Sequence, residues 1–267
     1  MPALSSLTRK LSTAFTLFQE DGIHGVISAL QERADLRSKL SAAQATDSVN
    51  LDGCMFNLKQ LPDTPMKLAL FEKKYEDFER QAVFQYVDTD QPVIELGGCI
   101  GVVACVTNRM LKNPSSHVVV EANPNVLPFL EENRNHNQCQ FEILNTAIAY
   151  DNDFVTFSPA RDFWGNSLRG KNSGPTVTVN TMRLRDIVDQ RGFDSFTLIC
   201  DIEGHEYDLV FHEPDVLEKA TLLILETHER LIGEEKNTQL LNKLNDLGFR
   251  AISQESAVIV MKRTHVA

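Results

Sequence analysis

Residues 201–206 read Asp-Ile-Glu-Gly-His-Glu and follow the apolar run Leu198-Ile199-Cys200. Such a run ends a strand with proton-accepting groups at the carboxyl edge of a sheet, where open α/β folds bind ligands. Asp201 and Glu203 lie at alternate positions and would point the same way if the strand continued. Gly204 permits a sharp turn, after which His205 and Glu206 open a helix. His228, in Leu225-Glu226-Thr227-His228-Glu229, follows the next apolar run and is a further candidate for contact with a substrate. A hydroxyl is a poor nucleophile until its proton is accepted, and Asp201, Glu203 or His205 could accept it. Each residue also has a plain structural role. Glu206 suits a helix N-terminus, where the dipole favours an acid. Glu203 could order the turn by binding backbone N–H groups, and the histidines could be surface residues. The same groups could ligate a divalent cation, but oxygen-ligand sites have no fixed spacing outside known loops, and no metal is assigned from the sequence.

A second group lies earlier in the chain. Residues 93–101 read Val-Ile-Glu-Leu-Gly-Gly-Cys-Ile-Gly, and Glu121 closes the apolar run Val118-Val119-Val120. A strand followed by a glycine turn lets backbone approach a ligand, and an acid at the tip of the next strand can accept hydrogen bonds from ribose hydroxyls. The dinucleotide pattern Gly-x-Gly-x-x-Gly is incomplete, because Leu96 stands where its first glycine would be. S-adenosylmethionine carries no phosphate; it needs an acid near its ammonium group, an open turn and an acid on the ribose. Glu95, Gly97, Gly101 and Glu121 supply these, so the pattern favours adenosylmethionine over NAD. Gly165 to Lys171 imitates a phosphate loop. However, Asn172 follows where Ser or Thr should stand, and no helix opens there, so that match is rejected.

These groups must be positioned by elements, and the chain supplies alternating strands and helices. Strand 93–96 leads to a helix from Gly101 to about Lys112, strand 117–121 to a helix from about Asn125 to Asn137, and strand 141–147 follows. Strand 196–201 leads to a short helix near Glu206, and strand 221–227 to a helix from about Glu234 to Leu247. Phe249 to Ser253 and Ala257 to Lys262 read as a closing antiparallel hairpin. Alternation of this kind predicts a doubly wound, Rossmann-like α/β sheet. Ahead of it, Met66 to Tyr86 reads as one helix and Cys54 to Leu58 as a short strand. The stretch from 150 to 195 reads as an insertion with a strand pair, Phe154 to Ser158 and Thr176 to Asn180. The loop between these strands holds the only Trp and several basic and amide residues, and suits substrate contact or a lid. Residues 1–50 read as a helical extension, with apolar stripes at 3–20 and about 22–45, that could pack on the main domain, 51–267, or on a second subunit.

Composition narrows the classes. The 267 residues carry a net charge of −11, which argues against a nucleic-acid footprint, since that needs a basic face. No stretch has the length and continuity of a membrane span, and the N-terminus lacks a secretory apolar core, so a cytoplasmic location and no stable membrane insertion are expected. The five cysteines form no zinc-ligand pattern and read as free thiols of a reducing compartment.

Taken together, Tyr75-Glu76, the Glu95–Gly101 turn, Glu121-Ala-Asn-Pro124, Asn145-Thr-Ala147, Gly165-Asn-Ser-Leu168 and, most specifically, Asp201-Ile-Glu-Gly-His-Glu206 resemble the FkbM family of adenosylmethionine-dependent methyltransferases. The resemblance runs from about Gly53 to the C-terminus. It implies a class I methyltransferase sheet of seven strands whose last pair is antiparallel, and O-methylation of a sugar, glycan or natural-product hydroxyl. It also implies that Glu95, Gly97, Gly101 and Glu121 bind the cofactor with Asn123 and Ala147 nearby. Asp201, Glu203 and His205 would line the acceptor site, with Trp164, Asn166, Ser167 and Arg169 closing over it. Family members usually carry Asp-Val-Gly-Ala-Asn-Ile-Gly in the first motif. Here Glu95 replaces the Asp, and Cys99 replaces an Asn whose amide would hydrogen-bond near the cofactor. The competing expectations are a nicotinamide-dependent oxidoreductase and a degenerate fold that serves as a binding module.

Overall fold

A computed structural model of the protein describes residues 31–62, 64–157 and 176–264. The chain divides into two compact units, Met1–Asp47 and Ser48–Ala267. In the first, residues 31–45 are helical (α1), and Lys39 and Asp35 pair one turn apart at 2.9 Å. The 3–20 stripe expected at the N-terminus lies outside the described residues, as does the start of the second.

The second unit opens with a hairpin, β1 (Ser48–Leu51) and β2 (Cys54–Asn57), which reverses through Asp52-Gly53, both with positive φ. Helices α2 (Thr64–Phe71) and α3 (Asp77–Tyr86) follow where one helix was expected. Lys73 and Glu76 both adopt left-handed backbone, φ 61° and 47°, and this ends the first helix and restarts the second. The sequence gives no Gly or Pro at the break, so periodicity alone reads straight through it.

The central sheet is built from β3 (Val93–Leu96), β4 (His117–Val120), β5 (Glu142–Leu144), β9 (Phe196–Cys200), β10 (Ala220–Glu226), β11 (Phe249–Glu255) and β12 (Val258–Arg263). Its order is β11-β12-β10-β9-β3-β4-β5. The strands from β5 across to β10 run parallel, and β12 enters antiparallel between β10 and β11. This is the Rossmann-like methyltransferase sheet with its reversed final pair. The strand expected over 141–147 instead divides at Asn145-Thr146. β5 stays in the main sheet, while β6 (Ala147–Ile148) joins β7 (Phe154–Phe157) and β8 (Val177–Met182) in a separate three-stranded sheet.

Apolar side chains alternate across the parallel strands, as the two-residue period requires. Val93, Val119, Ile199 and Ile224 face α3, α4 (Val102–Met110) and α5 (Leu127–His136). Ile94, Leu96, Leu198, Cys200, Leu223 and Leu225 face the other layer, α6 (Leu184–Arg191), α7 (Glu206–His212), α8 (Pro214–Leu217) and α10 (Glu234–Asp246), with the single turn α9 (Glu229–Ile232) before α10. Sequential strands step away from β3 in one direction and from β9 in the other. The crevice between those two strand ends is therefore the topological switch point, where open α/β sheets bind ligands.

Candidate active site

At that crevice the chains after β3 and β9 come into close contact. The Asp201 amide donates to the Leu96 carbonyl at 2.8 Å, and Gly97, at φ 92°, sits so near that a Cβ there would overlap the Asp201 carbonyl oxygen. Only glycine satisfies both the backbone angle and the contact. The turn is pinned to the neighbouring strand by the amides of Gly97 and Gly98, which both donate to Val120 O at 2.9 and 3.0 Å. Glu121 completes the frame. Its Oε2 accepts from the Cys99 amide at 2.7 Å and its Oε1 from the Asn123 amide at 2.6 Å. Burial drives the Glu121 carboxyl up to about 7, against the backbone amides of Asn123, Cys99 and Ala122, which favour its charge.

These residues open onto a cavity of about 590 Å³ at the carboxyl edge of the sheet. One wall holds Gly97, Cys99, Glu121, Ala122 and Ala147. A second group of lining residues, a second wall, comes from the ends of β9 and β10 and the α2–α3 break: Asp201, Glu203, His205, Glu226 and Glu76. Among the described residues, eight carboxylates line the cavity against one lysine and one histidine, so an anionic ligand would meet repulsion from them.

Four non-glycine residues of the lining adopt left-handed backbone: Glu76 (φ 47°), Cys99 (45°), Glu203 (51°) and Ser256 (51°). Each costs about 1–2 kcal/mol relative to ordinary backbone, and strain of this kind gathers where side chains must be aimed. The Glu76 break between α2 and α3 and the Glu203 turn before α7 therefore bring acids to the cavity that straight elements would have carried past it.

The cluster after β9 is held from behind by Glu206. That residue is completely buried, and its Oε1 accepts from the Ile202 and Gly204 amides (3.1 and 3.2 Å) and pairs with His228 Nδ1 at 2.9 Å. The other imidazole nitrogen, His228 Nε2, lies 3.5 Å from Asp201 Oδ1 and 3.4 Å from Glu203 Oε2. Burial alone would lower the imidazole's pKa, but the bond and charge of Glu206, with Asp201 and Glu203 beside it, raise it to about 9. Burial, and repulsion by Glu226, push the Asp201 carboxyl well up; Glu203 and Glu226 are raised, chiefly by burial.

Several expected residues are brought together here, and others are not. Gly97, Glu121, Ala147, Asp201, Glu203 and His205 all line the cavity. Asp201 and Glu203 meet although β9 ends at Cys200, so the left-handed turn at Glu203, not a continued strand, aligns them. Gly101 and Asn123 lie outside the lining. Gly101 caps α4 at φ 81°, and Asn123 is buried and supplies the amide that fixes Glu121. Glu95, expected beside the cofactor, does not line this cavity. The two-residue period puts it on the Val93 face, where it is 3% exposed and its Oε2 lies 3.6 Å from buried His117. His205 caps α7, 3.7 Å from Asp208. Trp164, Asn166, Ser167 and Arg169 lie outside the described residues.

Sequence reasoning missed Glu226 and Glu76 as site residues, and Glu206 as the support of His228. Glu226 ends an apolar strand just as Asp201 follows one, and that signal could have found it. Glu76 depends on a break with no local marker.

Comparison with known proteins adds the family. A family model described as the methyltransferase FkbM domain matches residues 95–251, more than half of the chain. A search of curated proteins gave no match. Among solved structures, a protein in the NADB-Rossmann superfamily from Streptococcus agalactiae aligns at 12% identity and TM-score 0.42, over 71% of this chain and 69% of that one. A ribosomal protein L11 methylase from Lactobacillus delbrueckii subsp. bulgaricus aligns at 11% identity and TM-score 0.40, over 71% and 78%. A precorrin-6y C5,15-methyltransferase from Geobacter metallireducens aligns at 12% and 0.40, over 69% and 87%. None of these three assigns an activity to this chain.

Proposed function

Because this chain belongs to the FkbM methyltransferase family, we propose that it moves a methyl group from S-adenosylmethionine to a hydroxyl of a sugar-like or other polyhydroxylated acceptor. The observation that carries this reading is the meeting of two walls in one cavity, a glycine turn tied to Glu121 and a row of carboxylates ending β9 and β10. The residues fit the cofactor at its nucleoside end. Gly97 and Glu121 both line the cavity, and the Glu121 carboxylate keeps acceptor capacity beyond its backbone bonds for a ribose hydroxyl. When bound, the cofactor supplies an electrophilic methyl carbon on a sulfonium, and the products are the methyl ether, the neutral thioether and a proton.

The chain's own work is to hold and deprotonate the acceptor. A hydroxyl loses its proton more readily to a carboxylate whose pKa is raised, and Asp201, Glu203 and Glu226 all share that shift. The acidic lining suits a neutral polyol or a cationic amino sugar, whose hydroxyl and ammonium groups donate hydrogen bonds to carboxylates. The ammonium end of the cofactor would find Asp201 or Glu76 in place of the inward-turned Glu95.

Calorimetry tests the cofactor first: the demethylated cofactor, S-adenosylhomocysteine, should bind one per chain, and NAD should not. A preference for NAD sinks the reading. Tritiated adenosylmethionine with a panel of neutral, amino and acidic sugars tests the acceptor. Label should pass to neutral or amino sugars and not to uronic acids.

A further inference from the structure

We propose that Asp201, Glu203 and His228 form a binding site for one divalent metal cation at the acceptor wall of the cavity. The inference rests on the methyltransferase reading of that cavity and deepens it by naming what organises the acceptor.

Geometry comes first. One oxygen from each carboxylate and His228 Nε2 all lie within 4.8 Å of one another. The imidazole nitrogen is 3.5 Å from Asp201 Oδ1 and 3.4 Å from Glu203 Oε2. These separations exceed ordinary N–H···O distances of about 2.7–3.2 Å. They match ligands around a common ion: two atoms each about 2.1 Å from a metal, at a tetrahedral angle, stand about 3.4 Å apart.

Orientation is the second, independent point. A metal-bound imidazole ordinarily has its other nitrogen fixed by a carboxylate or carbonyl. Here Glu206, with its side chain fully buried, holds His228 Nδ1 at 2.9 Å and turns Nε2 toward the two carboxylates. Glu206 is itself fixed by the amides of Ile202 and Gly204, so the arrangement stands before any ligand arrives.

Unsatisfied polarity is the third. Asp201 Oδ1, one of the three ligand atoms, is shut off from water and accepts no hydrogen bond; the second oxygen of Glu206, Oε2, is in the same state. A plain ion pair would have closed onto Asp201 Oδ1. Glu226 lines the same cavity as Asp201 and Glu203, so a carboxylate outside the ligand set stands at the same strand ends.

One nitrogen and two oxygens suit a first-row dication such as Mn²⁺ or Zn²⁺ better than Ca²⁺ or Mg²⁺, which prefer all-oxygen sets. Three protein ligands leave coordination positions for an acceptor oxygen on the cavity side, where Asp201 and Glu203 are exposed to it. A hydroxyl held there would be more acidic, and its proton would pass to Glu226, the neighbouring carboxylate outside the ligand set.

The test uses full-length protein stripped with chelator and titrated with MnCl₂. Free Mn²⁺ is followed by electron paramagnetic resonance, and S-adenosylhomocysteine binding is measured on the same samples. Wild type should bind one Mn²⁺ per chain, displaced by Zn²⁺. His228→Ala and Glu203→Ala should each weaken binding at least tenfold, and Glu206→Gln, which loosens only the imidazole, about tenfold. His228→Gln replaces His228→Ala if the smaller side chain leaves the chain unfolded by circular dichroism. No saturable Mn²⁺ binding by wild type overturns the site, and so does wild-type affinity in folded His228 and Glu203 variants. Wild type that binds S-adenosylhomocysteine but no Mn²⁺ removes this inference alone. Mn²⁺ binding without the homocysteine product leaves the metal site standing and removes the methyl-transfer reading.

Discussion

The two walls of the cavity differ in how many acids they carry and in how completely those acids are bonded. On the wall proposed to hold the cofactor, both oxygens of Glu121 accept short bonds from backbone amides, and the Gly97–Gly98 amides are tied to Val120 O. On the acceptor wall, the Asp201 and Glu206 carboxylates each keep a buried oxygen with no donor, and one imidazole stands among Asp201, Glu203 and Glu206. The first wall is a finished frame in which the ligand adds bonds to groups already held. The second keeps two buried carboxylate oxygens without a donor, and a cation or a donor-rich ligand would complete them.

The largest effect should follow from breaking the point where the walls touch. Gly97→Ala would force a Cβ into the Asp201 carbonyl from a backbone angle of φ 92°. Neither strand end can yield without disturbing Leu96 or the Asp201 amide bonded to it. A loss of about 3–5 kcal/mol is expected from overpacking plus backbone strain. Urea denaturation reads it, and a loss below 1 kcal/mol would show that the crevice is looser than drawn.

Next comes the frame itself. Glu121→Gln sets an NH₂ donor against either the Cys99 or the Asn123 amide and removes a charged acceptor for the ribose. Stability is a poor readout there, since relief of a buried charge offsets the lost bonds. Affinity for S-adenosylhomocysteine should fall about 10–100-fold, the range of one charge-assisted bond. The same change at Glu203 should leave that affinity within a few-fold. Equal losses at both positions would erase the distinction between the walls.

The acceptor wall should declare itself through pH. His228 has a folded pKa of about 9 against an ordinary 6.5, so the folded chain holds that proton more tightly than the unfolded one. Its contribution is complete below pH 6.5 and is lost as pH rises through 9. Glu121 adds in the same direction: raised from 4.5 to about 7, it favours the folded state fully below 4.5 and loses that contribution on rising through 7. The metal-free protein should therefore melt several degrees lower at pH 9 than at pH 6.5, roughly 3–6 °C for 1–2 kcal/mol in a chain of this size. His228→Gln should flatten the upper part of that slope. A melting point that rises between pH 6.5 and 9 would mean the imidazole is not held as a cation.

This contrast also explains what could be read from the sequence. The sheet was legible because its strands are apolar runs closed by turns, and Gly97, Glu121 and Asp201 were legible because each sits at the end of such a run. What escaped depends on rotation and on strained backbone. Glu95 has the right type and place in the motif, yet one residue of strand pleat turns it to the buried His117 face. Glu76 reaches the cavity only because the chain turns left-handed inside what reads as continuous helix. The Glu206–His228 pair joins residues 22 positions apart through a turn whose shape no spacing rule encodes.

The smallest predicted effect bears on Cys99, which stands where the family resemblance implies Asn. From the motif alone, the missing amide reads as a lost hydrogen bond to the cofactor. The structure supplies a different reason for Asn at this place: Cys99 has φ 45°, and Asn is the side chain other than Gly that tolerates left-handed backbone best. What the turn gives the frame is the backbone amide that binds Glu121, and that group is independent of the side chain. Cys99→Asn should therefore raise stability by about 0.5–1 kcal/mol through eased strain, while affinity for S-adenosylhomocysteine moves less than about threefold. A tenfold gain in affinity with no gain in stability would return the amide to the role the motif suggested, and would show the cofactor wall to be less complete than its backbone bonds indicate.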